Sequence, residues 1–291
     1  MTPSARLQSR GSAAFCKYIL TTAFIGVAAA QPAGRLSFEV ASVKPTRSQD
    51  FRNSGIKGQA AGRLTITNVP LYRIILAAYH IKAAFNTPRL SGGPDWIRSE
   101  GFDIEAVPPQ GAIPAALPLP EKESRSRRML QNLLADRFKL AVRSETKEIP
   151  AYVLSISAKG PKLTKSNVTE DQCDAGTGPA DVRCHGLSGG IGRGLHGKAV
   201  SIADICGYAE NWADRPIVDQ TGLTGLFEVD TEGWAPLLPR PRGEGPEAEA
   251  LADPTRPTLF MIFEKLGLKL EAKKAPVEVY SIEHVERPGE N

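Results

Sequence analysis

Apolar positions recur along this chain in two alternating rhythms. Leu64–Thr67 alternates as a strand. The segment from Asn68 then places Leu71, Ile74, Ile75, Ala78 and Tyr79 on one helical face, the 3.6-residue spacing of an amphipathic helix. Asn68 is the expected side-chain cap, with Pro70 in the first turn, where a missing N–H costs nothing. Val200, Ile202, Ile205, Cys206 and Ala209 repeat the spacing, with Ser201 as the cap. Behind each helix come a proline, a short apolar pair and a glycine turn, at Pro88–Gly93 and Pro216–Gly222. Each unit then reaches an alternating strand, Phe102-Asp-Ile-Glu105 and Phe227-Glu-Val-Asp230.

The order continues beyond two proline-rich stretches. Val107–Pro120 holds five prolines in fourteen residues, and Ala235–Pro257 holds six around an acidic Gly-Glu-Gly-Pro-Glu-Ala-Glu run. Both predict exposed connections. After them Met129, Leu130, Leu133 and Leu134 mark one helix, and Leu259, Ile262, Phe263 and Leu266 another. Phe138-Lys-Leu140 answers to Leu268-Lys-Leu270. Pro150–Ile156 shares four of seven residues with Pro276–Ile282. The pattern predicts an α+β protein of two similar lobes from an internal duplication, each with small antiparallel or mixed sheets packed on helices. The expected divisions are a first lobe at 31–158, a Gly/Cys-rich connection at 159–190 and a second lobe at 191–291.

Residues 1–30 stand apart. Arg6, Arg10 and Lys17 flank the apolar stretch Tyr18–Val27, which ends in Ala28-Ala-Ala30 before Gln31. A basic start, a short apolar run and small residues at the cut describe a signal peptide, so the mature protein is expected outside the cytoplasm, secreted or periplasmic. Its loss takes the formal charge from +4 to +1, which removes any bulk electrostatic reason to bind nucleic acid. No remaining apolar run is long enough for a membrane helix. At 291 residues and 41% apolar composition, the chain has material for a sizeable core, and 27 Gly with 23 Pro predict long turns.

Recognisable chemistry is sparse. Gly192-Arg-Gly-Leu-His-Gly197 fits a dinucleotide fingerprint, with Asp219 22 residues on, but lacks the strand that must precede it. Gly186-Leu-Ser188-Gly-Gly190 fits a nucleophile elbow, with Asp219 and His284 in triad order, but no helix pattern follows the serine. Cys173, Cys184, His185 and His196 are metal-ligand types without the close pairing of zinc half-sites. A Cys173–Cys184 disulfide suits an exported loop better, and closing it stabilises by roughly 2–3 kcal/mol. Cys206 falls opposite Ile75 when the helices are aligned and is expected to be a buried thiol. Asp103 with Glu105, and Glu228 with Asp230, read as polar sheet faces. Trp96, with Asp95 in the Gly-Gly-Pro-Asp-Trp turn, is the aromatic best placed to touch a ligand. No catalytic residue, metal or cofactor is expected.

Several motifs in fixed order resemble a bacterial family first described as soil-associated, a domain of unknown function abundant in acidobacteria. They are Phe38–Pro45, Ser91-Gly-Gly-Pro-Asp-Trp-Ile97 with Phe102–Ala106, Met129–Leu140, Val218-Asp-Gln-Thr-Gly-Leu-Thr-Gly225, and Leu266–Leu270 through Ala275–Val279. The resemblance covers essentially the whole mature chain. It implies secreted proteins with no established activity, some carrying this region beside a membrane sensor-peptidase of the antibiotic-sensing kind. The strand–helix–strand units are more loosely similar to the small N-terminal modules of secretins and TonB receptors. The expectation is a non-enzymatic binding or sensing module for an extracellular or envelope ligand; the rival is a secreted hydrolase with its site in the cleft between lobes.

Overall fold

β-branched and apolar residues at alternate positions make the longer strands, and two helices, Leu71–Ala78 and Ile202–Ala209, follow their strands with no more than a capping residue between. The computed structural model describes residues 35–46, 53–59, 62–81, 87–235 and 255–289. The expected signal peptide at 1–30 and most of the second proline-rich stretch lie outside the described residues. The first half comprises β1 (Val40–Pro45), β2 (Gly55–Gly58), β3 (Leu64–Pro70), α1 (Leu71–Ala78), β4 (Leu90–Gly92), α2 (Trp96–Ser99), β5 (Gly101–Val107), α3 (Leu119–Phe138) and β6 (Ala141–Ile156). Then come β7 (Thr164–Lys165), α4 (Glu170–Ala175), β8 (Ser188–Gly190), β9 (Gly194–Val200), α5 (Ile202–Ala209), a 3-10 turn at Glu210–Trp212, β10 (Ile217–Asp219), β11 (Phe227–Asp230), α6 (Leu259–Lys265) and β12 (Leu268–His284).

Three four-stranded sheets result, in the orders β1-β5-β3-β2, β10-β6-β12-β4 and β7-β11-β9-β8. The outer two are antiparallel throughout. In the middle sheet β6 and β12 run antiparallel along nearly their whole lengths, from Ala141↔His284 to Ile156↔Leu268. β10 adds to β6 in parallel, and β4 adds to β12 in parallel.

Each long strand therefore serves both cores. Ile282 of β12 is buried with Ile66, Ile74, Phe102 and Phe138 of the first half. Tyr152 and Leu154 of β6 are buried with Ile205, Phe227, Trp234 and Phe263 of the second. The two cores draw on opposite ends of these strands: Leu268 and Leu270 at the start of β12 are buried in the second core, and Val142 at the start of β6 packs on the first.

Three sequence expectations change. The helix after β3 begins at Leu71, not Asn68, and is capped by Pro70 without a side-chain bond. Asn68 stays in the strand as a bulge residue at φ 48°, and its N–H donates to Asp103 Oδ1 at 2.7 Å; the short polar side chain of Asn tolerates this left-handed backbone better than most. Leu119 and Pro120, expected in the connection, form the first turn of α3. The Gly/Cys-rich connection, expected without helix or strand, carries β7, α4 and β8. A capping box in which Thr169 and Gln172 satisfy each other's backbone N–H groups starts α4. Ser201 caps α5 in the same way with Asp204, as expected of Ser201.

Candidate functional site

A cavity of about 630 Å³ opens where α1, α3, α4 and α5 approach one another, within the usual 300–1,000 Å³ of small-molecule sites. His80 and Ile81, just beyond α1, form one wall. The first turns of α3 supply Leu119, Glu123 and Arg127. The opposite wall is the Cys173–Cys184 pair with His185, and Tyr208 of α5 is a further lining group. An adjoining pocket of about 240 Å³ shares His80, Ile81 and Gly207 and reaches Arg89, Glu210, Asp219 and Glu278.

Capping chemistry places the principal polar pair. Asp204 Oδ2 accepts from the Ser201 N–H at 2.9 Å and from Ser201 Oγ at 2.7 Å, and the same oxygen lies 2.7 Å from His185 Nδ1. The Asp204 side chain is 6% exposed. The other ring nitrogen, His185 Nε2, faces Glu170 Oε2 at 3.2 Å. His185 is held at φ 55° and His80 at φ 53°, two of the four non-glycine positive-φ residues among those described. Backbone strain of this kind costs of order 1–3 kcal/mol and clusters at functional sites.

Cys173 and Cys184 are joined in a disulfide, with Cα atoms 5.7 Å apart, while Cys206 is a free, buried thiol. Burial pushes that thiol up, and the Asp219 and Glu210 carboxylates add to the effect, which leaves it unreactive. Opening the disulfide with Cys173→Ala/Cys184→Ala is expected to cost roughly 2–3 kcal/mol. Urea denaturation of wild type and the double variant checks this, and equal stabilities would show that the closed loop contributes nothing.

In the adjoining pocket Arg89 and Glu210 form a bidentate pair, Nη2–Oε1 2.6 Å and Nε–Oε2 2.9 Å. Glu210 Oε1 also accepts from the Ile217 N–H at 2.7 Å. Burial raises the Glu210 carboxyl above its ordinary value, opposed by the Arg89 guanidinium and the Ile217 amide. The contact spans 121 residues and ties the strand start of β4 to the end of α5, which no local pattern could indicate.

The sequence motifs resolve into structural roles. Gly192 and Gly194 belong to the β8–β9 hairpin at φ 72° and 86°; a side chain on Gly194 would run into the Thr231 carbonyl. A hairpin is not the strand–turn–helix a dinucleotide needs. Ser188 opens β8, with its Oγ directed at the His196 carbonyl, whereas Asp219 binds Thr221 and His284 lies by Glu286. No triad is assembled. The metal-type set is likewise dispersed, with His196 between Asp230 Oδ1 at 2.6 Å and the Arg193 carbonyl at 2.7 Å. No group of three metal-ligating side chains occurs among the described residues. Asp103 accepts from Thr46 and Glu105 from Thr65, as polar sheet faces do.

Trp96 and Asp95 lie on α2 and its cap position, outside both cavities. The Trp96 ring meets Phe102 edge-on at 6.1 Å and lies 4.9 Å beneath the Arg287 guanidinium, which Glu100 holds. His185 was singled out only as a metal-ligand type beside the cysteines, and the cavity residues His80, Asp204 and Tyr208 were missed because their elements meet only in three dimensions. The Ser201-x-x-Asp204 capping box was a further local signal near them. No helix among the described residues is long and apolar enough to cross a membrane. No curated protein and no solved structure matches the chain. A family model described as a protein of unknown function, DUF3738, matches residues 73–285.

Proposed function

We propose, from the premise that this chain belongs to the DUF3738 family, that it is a secreted or periplasmic, non-enzymatic binding or sensing module with its ligand in the cleft beside α1, α3, α4 and α5. The observation that carries this reading is the state of the cleft's reactive groups. Both His185 nitrogens face carboxylates, Asp204 Oδ2 is shared by three partners, and the two lining cysteines are bonded to each other. Such groups build a rigid wall, while the volume suits a small molecule. The disulfide is compatible with an oxidising compartment. The soil-associated, acidobacterial character of the relatives belongs to this same reading.

Two copies of one ancestral unit are part of the proposal. Strand–helix pairs β3–α1 and β9–α5 occupy equal places. In both, the strand bulges at the same step, between Val69↔Phe102 and Ile66↔Ile104 and between Val200↔Phe227 and Gly197↔Val229. The Tyr152 N–H donates to the Pro216 carbonyl and the Tyr280 N–H to the Arg89 carbonyl, both at 2.7 Å. Left-handed residues end α3 and follow α6, at Lys139 and Gly267. These correspondences support aligning Lys139 with Gly267, two residues away from the alignment the strand motifs suggest.

A second reading, a hydrolase, draws on the 2.7 Å contact between His185 and the buried Asp204, since a buried acid that orients an imidazole is the arrangement of a general base. One experiment separates the two. The neutral fluorophore N-phenyl-1-naphthylamine is expected to bind wild type saturably at one site, and Leu119→Trp is expected to abolish that binding. p-Nitrophenyl ester turnover is expected to be no faster in wild type than in His185→Asn. Binding unaffected by Leu119→Trp overturns the cleft assignment. Turnover that disappears in His185→Asn overturns the non-enzymatic role.

A further inference from the structure

The two adjoining cavities carry an unequal charge lining. Two guanidiniums reach them, and each is already bonded to an acid. Arg127 Nη1 lies 3.2 Å from Glu123 Oε2, and Arg89 is bidentate to Glu210. Three further lining carboxylates, Asp174, Asp219 and Glu278, form no ion pair among the described residues. Asp219 is oriented by the Thr221 N–H at 2.8 Å and Oγ at 2.7 Å.

His80, Ile81 and Gly207 line both cavities, so the excess of carboxylates borders one continuous volume. The groups around that volume respond accordingly. The Tyr280 hydroxyl is pushed up to about 12 by burial and by its hydrogen bond to Glu278. The Cys206 thiol is raised further by Asp219 and Glu210. Apolar and aromatic wall is present alongside, in Ile81, Leu119, Leu187 and Tyr208.

We infer that the cleft binds a small organic cation, a protonated amine or amidine carried on an apolar body. Its body would lie along Ile81, Leu119 and Tyr208, and its charge toward Asp174 and Asp219. Cation–π contact with a tyrosine face favours the same class. This inference rests on the cleft being the binding site.

The test is competition against N-phenyl-1-naphthylamine by three isosteres, phenethylamine, 2-phenylethanol and phenylacetate, at low salt. Phenethylamine is expected to compete about tenfold better than phenylacetate, with the alcohol between them, and its advantage is expected to shrink at 0.5 M salt as screening sets in. Asp174→Asn/Asp219→Asn is expected to reduce that advantage several-fold, each competitor being compared against the variant's own measured fluorophore affinity. Phenylacetate equal to or better than phenethylamine overturns the cationic class and leaves the cleft as a binding site. An advantage that survives the double substitution also overturns it. If the fluorophore itself does not bind wild type, the cleft assignment fails and the cationic class fails with it.

Discussion

Replacing Glu210 by alanine is expected to lower folding stability by about 3–5 kcal/mol, among the largest effects of any single polar substitution in this protein. Glu210 is 4% exposed and Arg89 19% exposed at the side chain. Removing the carboxylate leaves the guanidinium without its bidentate partner and the Ile217 N–H without an acceptor. An uncompensated buried charge costs far more than the intact pair contributes. Arg89→Met/Glu210→Leu, which removes both charges and keeps the volume, is therefore expected to stay near wild-type stability. Chemical denaturation of the three proteins decides. A Glu210→Ala loss under about 1 kcal/mol, or a double variant as unstable as the single, would show that the pair is solvated in solution.

Phe138→Ala and Phe263→Ala are each expected to cost about 3–5 kcal/mol, the transfer free energy of a ring plus the cavity left behind. Both rings are fully buried, Phe138 in the first core and Phe263 in the second. The form of the transition matters as much as its midpoint. Because β6 and β12 each place side chains in both cores, melting either core removes a strand from the other. One transition is expected in each variant, whether followed by fluorescence at Trp96 in the first half or at Trp212 and Trp234 in the second, with the other tryptophans replaced by phenylalanine. A variant in which the Trp96 signal stays native while the Trp212 and Trp234 signal is lost would contradict this coupling.

Local physics made part of this molecule readable in advance. The core faces of α1 and α5, Ile74 and Ile75 in one and Ile205 and Cys206 in the other, follow from helical periodicity, because a side chain's face is set by spacing alone. The buried state of Cys206 comes from the same rule, the Ser201 cap from a hydroxyl that accepts a free N–H of the first turn, and the Cys173–Cys184 bond from loop composition. Very short elements escaped. α4 has six residues and one buried side chain, too little for a periodic pattern, and Asn68 was read as a cap because a bulge and a cap favour the same residue type. Membership of a family of unknown function was legible in motif order.

Strand partnership was not legible. Nothing in the alternation of β6 or β12 states that each ends in the other half's core, since a strand's pattern specifies its faces and not its neighbours. The Arg89–Glu210 pair, the placing of His185 against Asp204 and the acid-lined cleft all depend on that partnership, because each brings together residues from elements distant in sequence or confined to irregular loops. Composition and periodicity determined the elements and their buried faces. Only the exchange of long strands, which lets two small cores bury their apolar surface jointly, decided where the polar groups left over would meet.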